Sequence, residues 1–236
     1  TLGKTYYSIN YTNESNEDNS NSFFYVIATD TGTTSVRITP SRPTLTRPAG
    51  VPFTVNLTQG QVFNGLGQLT GSVGNVYSAV DLTGTKIESI ASGTGACKRI
   101  AVFSGSGKIN ISCGINSSGG RSSDNYMVQS FPKEAWGKKF LTEPTSSLNF
   151  NIYRVCVLNP STIVKLNGSP IPYPLVNNFY YEIPATTSPL KIEADQPVTV
   201  AQYIATQGAC GNPPCNGGGG TCNSPGDPEV IYLSPV

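Results

Sequence analysis

No stretch of ten or more residues carries apolar side chains at a helical period, and this absence governs what the 236-residue chain can fold into. The apolar runs are short, rich in Val, Ile, Tyr, Phe and Thr, and bounded by Gly, Pro, Asn or Ser. Phe23 to Thr29, Ser35 to Thr39, Phe53 to Thr58 (after Pro52) and Ile152 to Leu158 are such runs. β-Branched and aromatic side chains suit a pleated, half-buried surface, so these segments read as strands. Alternation is clearest in Val198-Thr199-Val200-Ala201. A single helical turn is expected over Lys133 to Trp136, following Pro132. Many short strands with frequent turn signals predict an all-β fold of antiparallel sandwich type.

The strands also repeat. Leu2-Gly3-Lys4-Thr5-Tyr6-Tyr7 is similar to Trp136-Gly137-Lys138-Lys139-Phe140-Leu141. Tyr25-Val26-Ile27-Ala28, followed by Thr34-Ser35-Val36-Arg37-Ile38, matches Tyr153-Arg154-Val155-Cys156, followed by Thr162-Ile163-Val164-Lys165-Leu166, at equal spacing. Lys86-Ile87-Glu88-Ser89 matches Lys191-Ile192-Glu193-Ala194, and Ile100-Ala101-Val102-Phe103 matches Val198-Thr199-Val200-Ala201. Cys113 and Cys210 follow at nearly equal distances. Asp124-Asn125-Tyr126-Met127-Val128, ending at Pro132, matches Asp227-Pro228-Glu229-Val230-Ile231, ending at Pro235. Matches in one order predict an internal duplication. The expected organisation is two tandem antiparallel β-sandwich units, 1–133 and 134–236. The second copy stops where a third Trp-Gly-Lys element would begin, so a longer multidomain chain is expected.

Composition narrows function. Charged residues are 12% of the chain, about half the ~25% of an ordinary soluble domain. Net charge is only +1, which gives no basic footprint for nucleic acid. With no histidine, Ser-His-Asp and Cys-His systems, His general bases and His-containing zinc sites are excluded. The longest apolar run, Phe23 to Ala28, is far below the ~18 residues of a membrane span. Thr1 is followed by no charged-then-apolar leader, as expected of a mature or trimmed product.

Six cysteines in a loop-rich, weakly charged chain point to disulfides and an oxidising compartment. Cys97 and Cys113 bracket a segment that reads as two strands around Gly105-Ser106-Gly107, which would bring them together at the mouth of a hairpin. Closing such a loop would contribute roughly 3 kcal/mol. Cys210, Cys215 and Cys222 lie in a Gly/Pro-rich loop and Cys156 in an apolar strand; their pairing is left open. The spacings are not those of a zinc ribbon. Asn-x-Ser/Thr triplets fall at Asn10, Asn13, Asn56, Asn110, Asn116 and Asn167; Pro160 disqualifies Asn159, and Pro170 disfavours Asn167.

A family resemblance adds to this. Its residues are Lys98-Arg99-Ile100-Ala101-Val102-Phe103-Ser104-Gly105, Ser123-Asp124-Asn125-Tyr126 and Trp136-Gly137-Lys138-Lys139-Phe140. They continue with Tyr153-Arg154-Val155 and Thr162-Ile163-Val164-Lys165-Leu166-Asn167-Gly168, then Ala194-Asp195-Gln196-Pro197-Val198-Thr199-Val200-Ala201-Gln202-Tyr203 and Gly226-Asp227-Pro228. These segments resemble the IgGFc-binding domain family, which occurs in large secreted or surface proteins. The resemblance implies an extracellular β-rich binding or adhesion module. It does not imply antibody binding, because the family name records one member's activity, and it supplies no catalytic set.

Other features have plain readings. Asp124 and Asp227 precede equivalent apolar strands, and turn residues bonding their own backbone are favoured over a cation site. No Asp-x-Asp-x-Asn-Gly run supports a calcium loop, and Glu14, Glu17 and Asp18 fit a solvated loop. Gly226-Asp227-Pro228 is followed by Glu229 rather than His, against self-cleavage, and no Lys follows Gly217 to Gly220, against a phosphate cradle. Adjacent aromatics in Tyr6-Tyr7 and Phe179-Tyr180-Tyr181, with Tyr11 nearby, place alternate rings on opposite faces. An exposed patch among them would suit a glycan or protein contact. Trp136 is expected in packing rather than on the surface.

The chain is therefore expected to be a secreted or cell-surface binding module. Its ligand would be a glycan or an extracellular protein, held without catalysis, cofactor or metal. A structural spacer in a long surface protein is the alternative. A two-carboxylate glycosidase, which needs acidic groups ~5–9.5 Å apart, ranks below both.

Overall fold

The computed structural model describes residues 1–74, 76–91, 95–112, 123–146, 148, 150–206 and 226–236. The chain divides into two compact units, Thr1–Ile109 with Asn125–Ala135, and Asn110–Asp124 with Trp136–Val236. The all-β expectation holds: antiparallel strands, with a single 3-10 turn described at Lys133–Ala135, close to the expected helical turn.

The first unit contains β1 (Thr5–Tyr7), β2 (Asn13–Ser15), β3 (Ser22–Ala28), β4 (Thr33–Thr39), β5 (Phe53–Thr58), β6 (Val62–Leu66), β7 (Leu69–Val73), β8 (Val76–Ala79), β9 (Lys86–Ile90), β10 (Ile100–Ile109) and β11 (Asp124–Gln129). They form one four-stranded sheet in the order β1-β9-β4-β5, another in the order β11-β10-β3-β6, and a small sheet β2-β8-β7. Period-two alternation sends Tyr6, Val36, Ile38 and Ile87 of the first sheet against Phe24, Val26, Ile100 and Val102 of the second. These residues are fully buried and make one core. Tyr6 keeps its hydroxyl satisfied there by donating to the Ile100 carbonyl at 2.8 Å. Burial, with a small push from Glu134, raises the phenol to about 12 against the opposing Gly3 hydrogen bond, so it stays neutral.

The second unit contains β12 (Gly137–Thr142), β13 (Asn151–Val157), β14 (Val164–Leu166), β15 (Ser169–Pro170), β16 (Leu175–Val176), β17 (Tyr180–Thr186), β18 (Leu190–Ile204) and β19 (Glu229–Tyr232). Here β18 serves two layers. Its first half pairs with β12 and β14, through Phe140 and Leu166 opposite Ile192; its second half pairs with β13 and β19. The turn between the halves falls at exposed Asp195-Gln196-Pro197, where the β12 register jumps from Lys139↔Glu193 to Gly137↔Val198. Proline inside a strand is tolerated at such an irregular corner. Phe140, Tyr153, Val155, Val164, Ile192, Val198 and Val200 build the core.

One local expectation fails. Ile100–Ile109 is a single strand, so there is no hairpin about Gly105-Ser106-Gly107. The glycines serve close approach instead. A Cβ on Gly105 would lie 2.2 Å from the Tyr126 carbonyl oxygen and 2.7 Å from the Phe23 ring, and one on Gly107 would lie 2.2 Å from the Asn19 carbonyl oxygen. The hairpin mouth that was to bring Cys97 to Cys113 is thereby removed. Cys97 joins no cysteine among the described residues, Cys156 is buried in β13, and Cys113, Cys210, Cys215 and Cys222 lie outside the described residues.

Candidate binding surface

The outer side of the first unit carries a cross-strand charge row. Ile87 of β9 points into the core, so Lys86 and Glu88 point outward. Arg37 lies opposite Glu88 on β4. Its Nε donates to Glu88 Oε1 at 2.8 Å, and Lys86 Nζ meets Oε2 at 2.9 Å. Partial burial works against the Glu88 carboxylate, but the hydrogen bonds from Lys86 and Arg37 outweigh it and hold its pKa below the ordinary carboxylate value. Both oxygens are engaged, and both cations are ion-paired with the one acid.

The second unit carries a different version. Glu193 of β18 sits between Lys139 on β12 and Lys165 on β14, opposite both in register. Lys191 Nζ already holds Glu193 Oε1 at 2.8 Å. That hydrogen bond first, then the charges of Lys191, Lys139 and Lys165, lowers the Glu193 pKa against a small desolvation effect. Lys139 and Lys165 themselves make no ion pair among the described residues. Next to this row, Ile163, Lys165, Glu193, Ala194 and Asp195 line a groove of about 380 Å³. Asp195 fixes one wall by accepting a hydrogen bond from the Ile163 amide at 2.9 Å.

The aromatic candidates do not form a patch. Tyr6, Tyr11 and Tyr180 are buried, Tyr7 and Tyr181 are half-buried, and half-buried Phe179 packs edge-on against Trp136 at 6.5 Å. Tyr6 and Tyr7 do face opposite ways, as alternation requires. Every Phe, Tyr and Trp of the chain falls among the described residues, and none is exposed. The chain therefore offers no fully exposed aromatic platform for a sugar ring.

Arg154 was not among the candidates the sequence offered. It lies in the middle of β13, whose seven residues are all buried, and its side chain is 0% exposed. Arg154 Nε donates to Glu182 Oε2 on neighbouring β17 at 2.9 Å. The guanidinium stands 4.3 Å from the Tyr180 ring centre and 5.7 Å from that of Tyr203. Its signal was an arginine inside an otherwise apolar strand. A cation so placed needs pairing, and its partners come from strands far along the chain.

Of the acidic candidates, Glu17 pairs with Lys108 at 3.5 Å, and no group of three or more metal-ligating side chains occurs among the described residues. The Asp227 carboxyl has a raised pKa, first by desolvation and then by the charge of Asp124. Its ionised form is thus less favourable folded than unfolded, so stability falls as pH rises through the raised value. Asp227→Asn is expected to raise the melting temperature at neutral pH, with the gain disappearing in acid; thermal melts at both pH values check it. A lowered melting temperature at neutral pH would instead speak for a bound cation. Among the sequons, Asn10 is fully buried, and its amide donates to the Phe23 and Gly105 carbonyls at 3.0 and 2.7 Å, leaving no room for a glycan. Asn56 and Asn167 are exposed, Asn167 with φ of 51° ahead of Gly168 in the β14–β15 turn. Asn116 and Gly217 to Gly220 lie outside the described residues.

Two antiparallel β units carrying charged outer rows define a β-rich module. A family model described as IgGFc binding protein matches residues 1–236, the whole chain, and the chain belongs to that family. No curated protein and no solved structure gives a match.

Proposed function

We propose that the chain is an extracellular binding module of a larger secreted or cell-surface protein. It holds a glycan or protein ligand by surface contact and performs no chemistry of its own. The observation that carries this is the family match over the full length, to a family described by a binding activity. The charged rows of both units sit on sheets rather than loops, which favours recognition by a preformed surface. Saturable capture of at least one member of a panel of extracellular proteins and glycans, immunoglobulin Fc among them, is the expected result for the immobilised whole chain. A chain shown to be folded that captures nothing would favour the spacer instead.

The module is further proposed to consist of two copies of one β-unit, 1–133 and 134–236. Several ladder positions support this. Tyr6↔Ile87↔Ile38 in the first unit corresponds to Phe140↔Ile192↔Leu166 in the second. The Ser130 amide donates to Val102 as the Leu233 amide donates to Val200. Strand order β1-β9-β4-β5 corresponds to β12-β18-β14-β15, and β11-β10-β3-β6 to β19-β18-β13-β17. Val26 lies opposite Val102, and Val155 opposite Val200, so Val155 corresponds to Val26 rather than to Ile27. The sequence match at that strand was one residue out of register, and a one-residue slip exchanges the two faces.

A further inference from the structure

The geometry points to an anion-binding face on the second unit, made by Lys139 and Lys165 on either side of Glu193, that takes a sulfated polysaccharide. This rests on the binding-module reading and names a ligand class and a place for it. The comparison that carries it lies within the molecule. In the first unit the cations of the corresponding row, Arg37 and Lys86, are both spent on Glu88. Where that unit has Thr5 opposite Glu88, the second has Lys139 opposite Glu193. Where it has Arg37 bound to its glutamate, the second has Lys165, with Lys191 already on the acid. Two ammonium groups are thus left over.

Lys139 and Lys165 lie on strands two ladder spacings apart, about 10 Å between backbones. Both are exposed, and exposed Lys138 precedes Lys139 at the register jump of β12. Lys139, Lys165 and Lys191 together outnumber the carboxylates of Glu193 and Asp195. A chain with +1 net charge over 236 residues therefore concentrates positive charge here. Lysines are flexible, strongly hydrated point charges, suited to spaced anionic groups rather than to one planar acid.

A polysaccharide fits better than an acidic protein. Protein hot spots are enriched in Trp, Tyr and Arg in desolvated pockets. This row is made of lysines, and no exposed aromatic ring is available anywhere in the chain. An extended sulfated polymer lying across β12, β18 and β14 meets both free lysines at once, and the groove beside Lys165 leaves space next to the row.

The test uses the whole chain on immobilised heparin as the sulfated polysaccharide, with uncharged dextran as control, starting at about 50 mM salt. Retention by heparin alone is expected, weakening with salt. Lys139→Thr/Lys165→Gln should weaken binding by at least about tenfold and lower the salt slope by about one per lysine. Lys4→Gln/Lys133→Gln, the same charge removed from the first unit, should change binding less than about twofold. A thermal melt shows each variant folded, and all four lysines are exposed. No retention of the wild type, or equal retention of both double variants, overturns the inference. Retention of an acidic polypeptide such as polyglutamate but not of heparin, lost with Lys139 and Lys165, also overturns it in favour of a protein partner. A chain that captures a ligand from the broader panel yet ignores heparin loses this inference alone and keeps the binding reading.

Discussion

Glu182→Ala is expected to destabilise the second unit by about 3 kcal/mol, the low end of the range for breaking a buried ion pair. The low end applies because the Glu182 side chain is 37% exposed while that of Arg154 is 0% exposed. Water solvates the acid in part but never reaches the guanidinium. Removing the acid takes a carboxylate partner from a buried cation, and the Tyr180 and Tyr203 faces attract that cation without neutralising it. Arg154→Met/Glu182→Leu replaces both charges by apolar side chains, and it should recover most of the loss, since apolar replacement of a buried pair is often neutral or better. Urea denaturation of the two variants checks this; a single variant no weaker than the double would show that the pair does not hold β13 to β17.

The second large effect concerns the points where each unit closes on itself. A Cβ on Gly3 would lie 2.3 Å from the Pro132 Cβ, and one on Gly137 would lie 2.2 Å from the Pro235 Cβ. Neither proline can swing away as a flexible side chain does, so the backbone must part. The contact sits beside a ladder position in both units, Gly3↔Ile100 and Gly137↔Val198. Gly3→Ala and Gly137→Ala are each expected to cost about 2–3 kcal/mol, as overpacking of a tight contact does. If the units are copies, the two losses agree within about 1 kcal/mol, which thermal or urea melts of each variant measure. A tolerated alanine at either position would mean that the Gly–Pro contacts are incidental.

These contacts join two segments that were matched separately in the sequence, one opening each unit and one closing it. That is the kind of information the sequence carries well. β-Branched and aromatic runs marked β3, β4, β5 and β13, and alternation in Val198-Thr199-Val200-Ala201 gave the right faces in β18, with Val198 and Val200 in the core. Glycine was ambiguous. At Gly105 and Gly107 the same residue that makes turns was needed for close approach by Phe23, Tyr126 and Asn19, which come from other strands. Arg154 was visible as an oddity, but its role depends on Glu182 and Tyr180, brought beside it only by β13–β17 pairing. The lysine row was hidden for a similar reason. Lys139, Lys165 and Glu193 are far apart in the chain and meet because β12 and β14 flank β18 at one register position. Aromatic composition suggested an exposed patch, yet packing buries each ring at least in part.

Hydrogen–deuterium exchange of the whole chain, with and without the ligand it captures from the panel, tests the central claim most directly. Binding through a preformed sheet surface predicts slowed exchange in contiguous strands of one exposed sheet face, with the other strands unchanged and the ligand recovered at its original mass. A folded chain in which no panel member slows exchange anywhere, or a ligand recovered cleaved or modified, would contradict it.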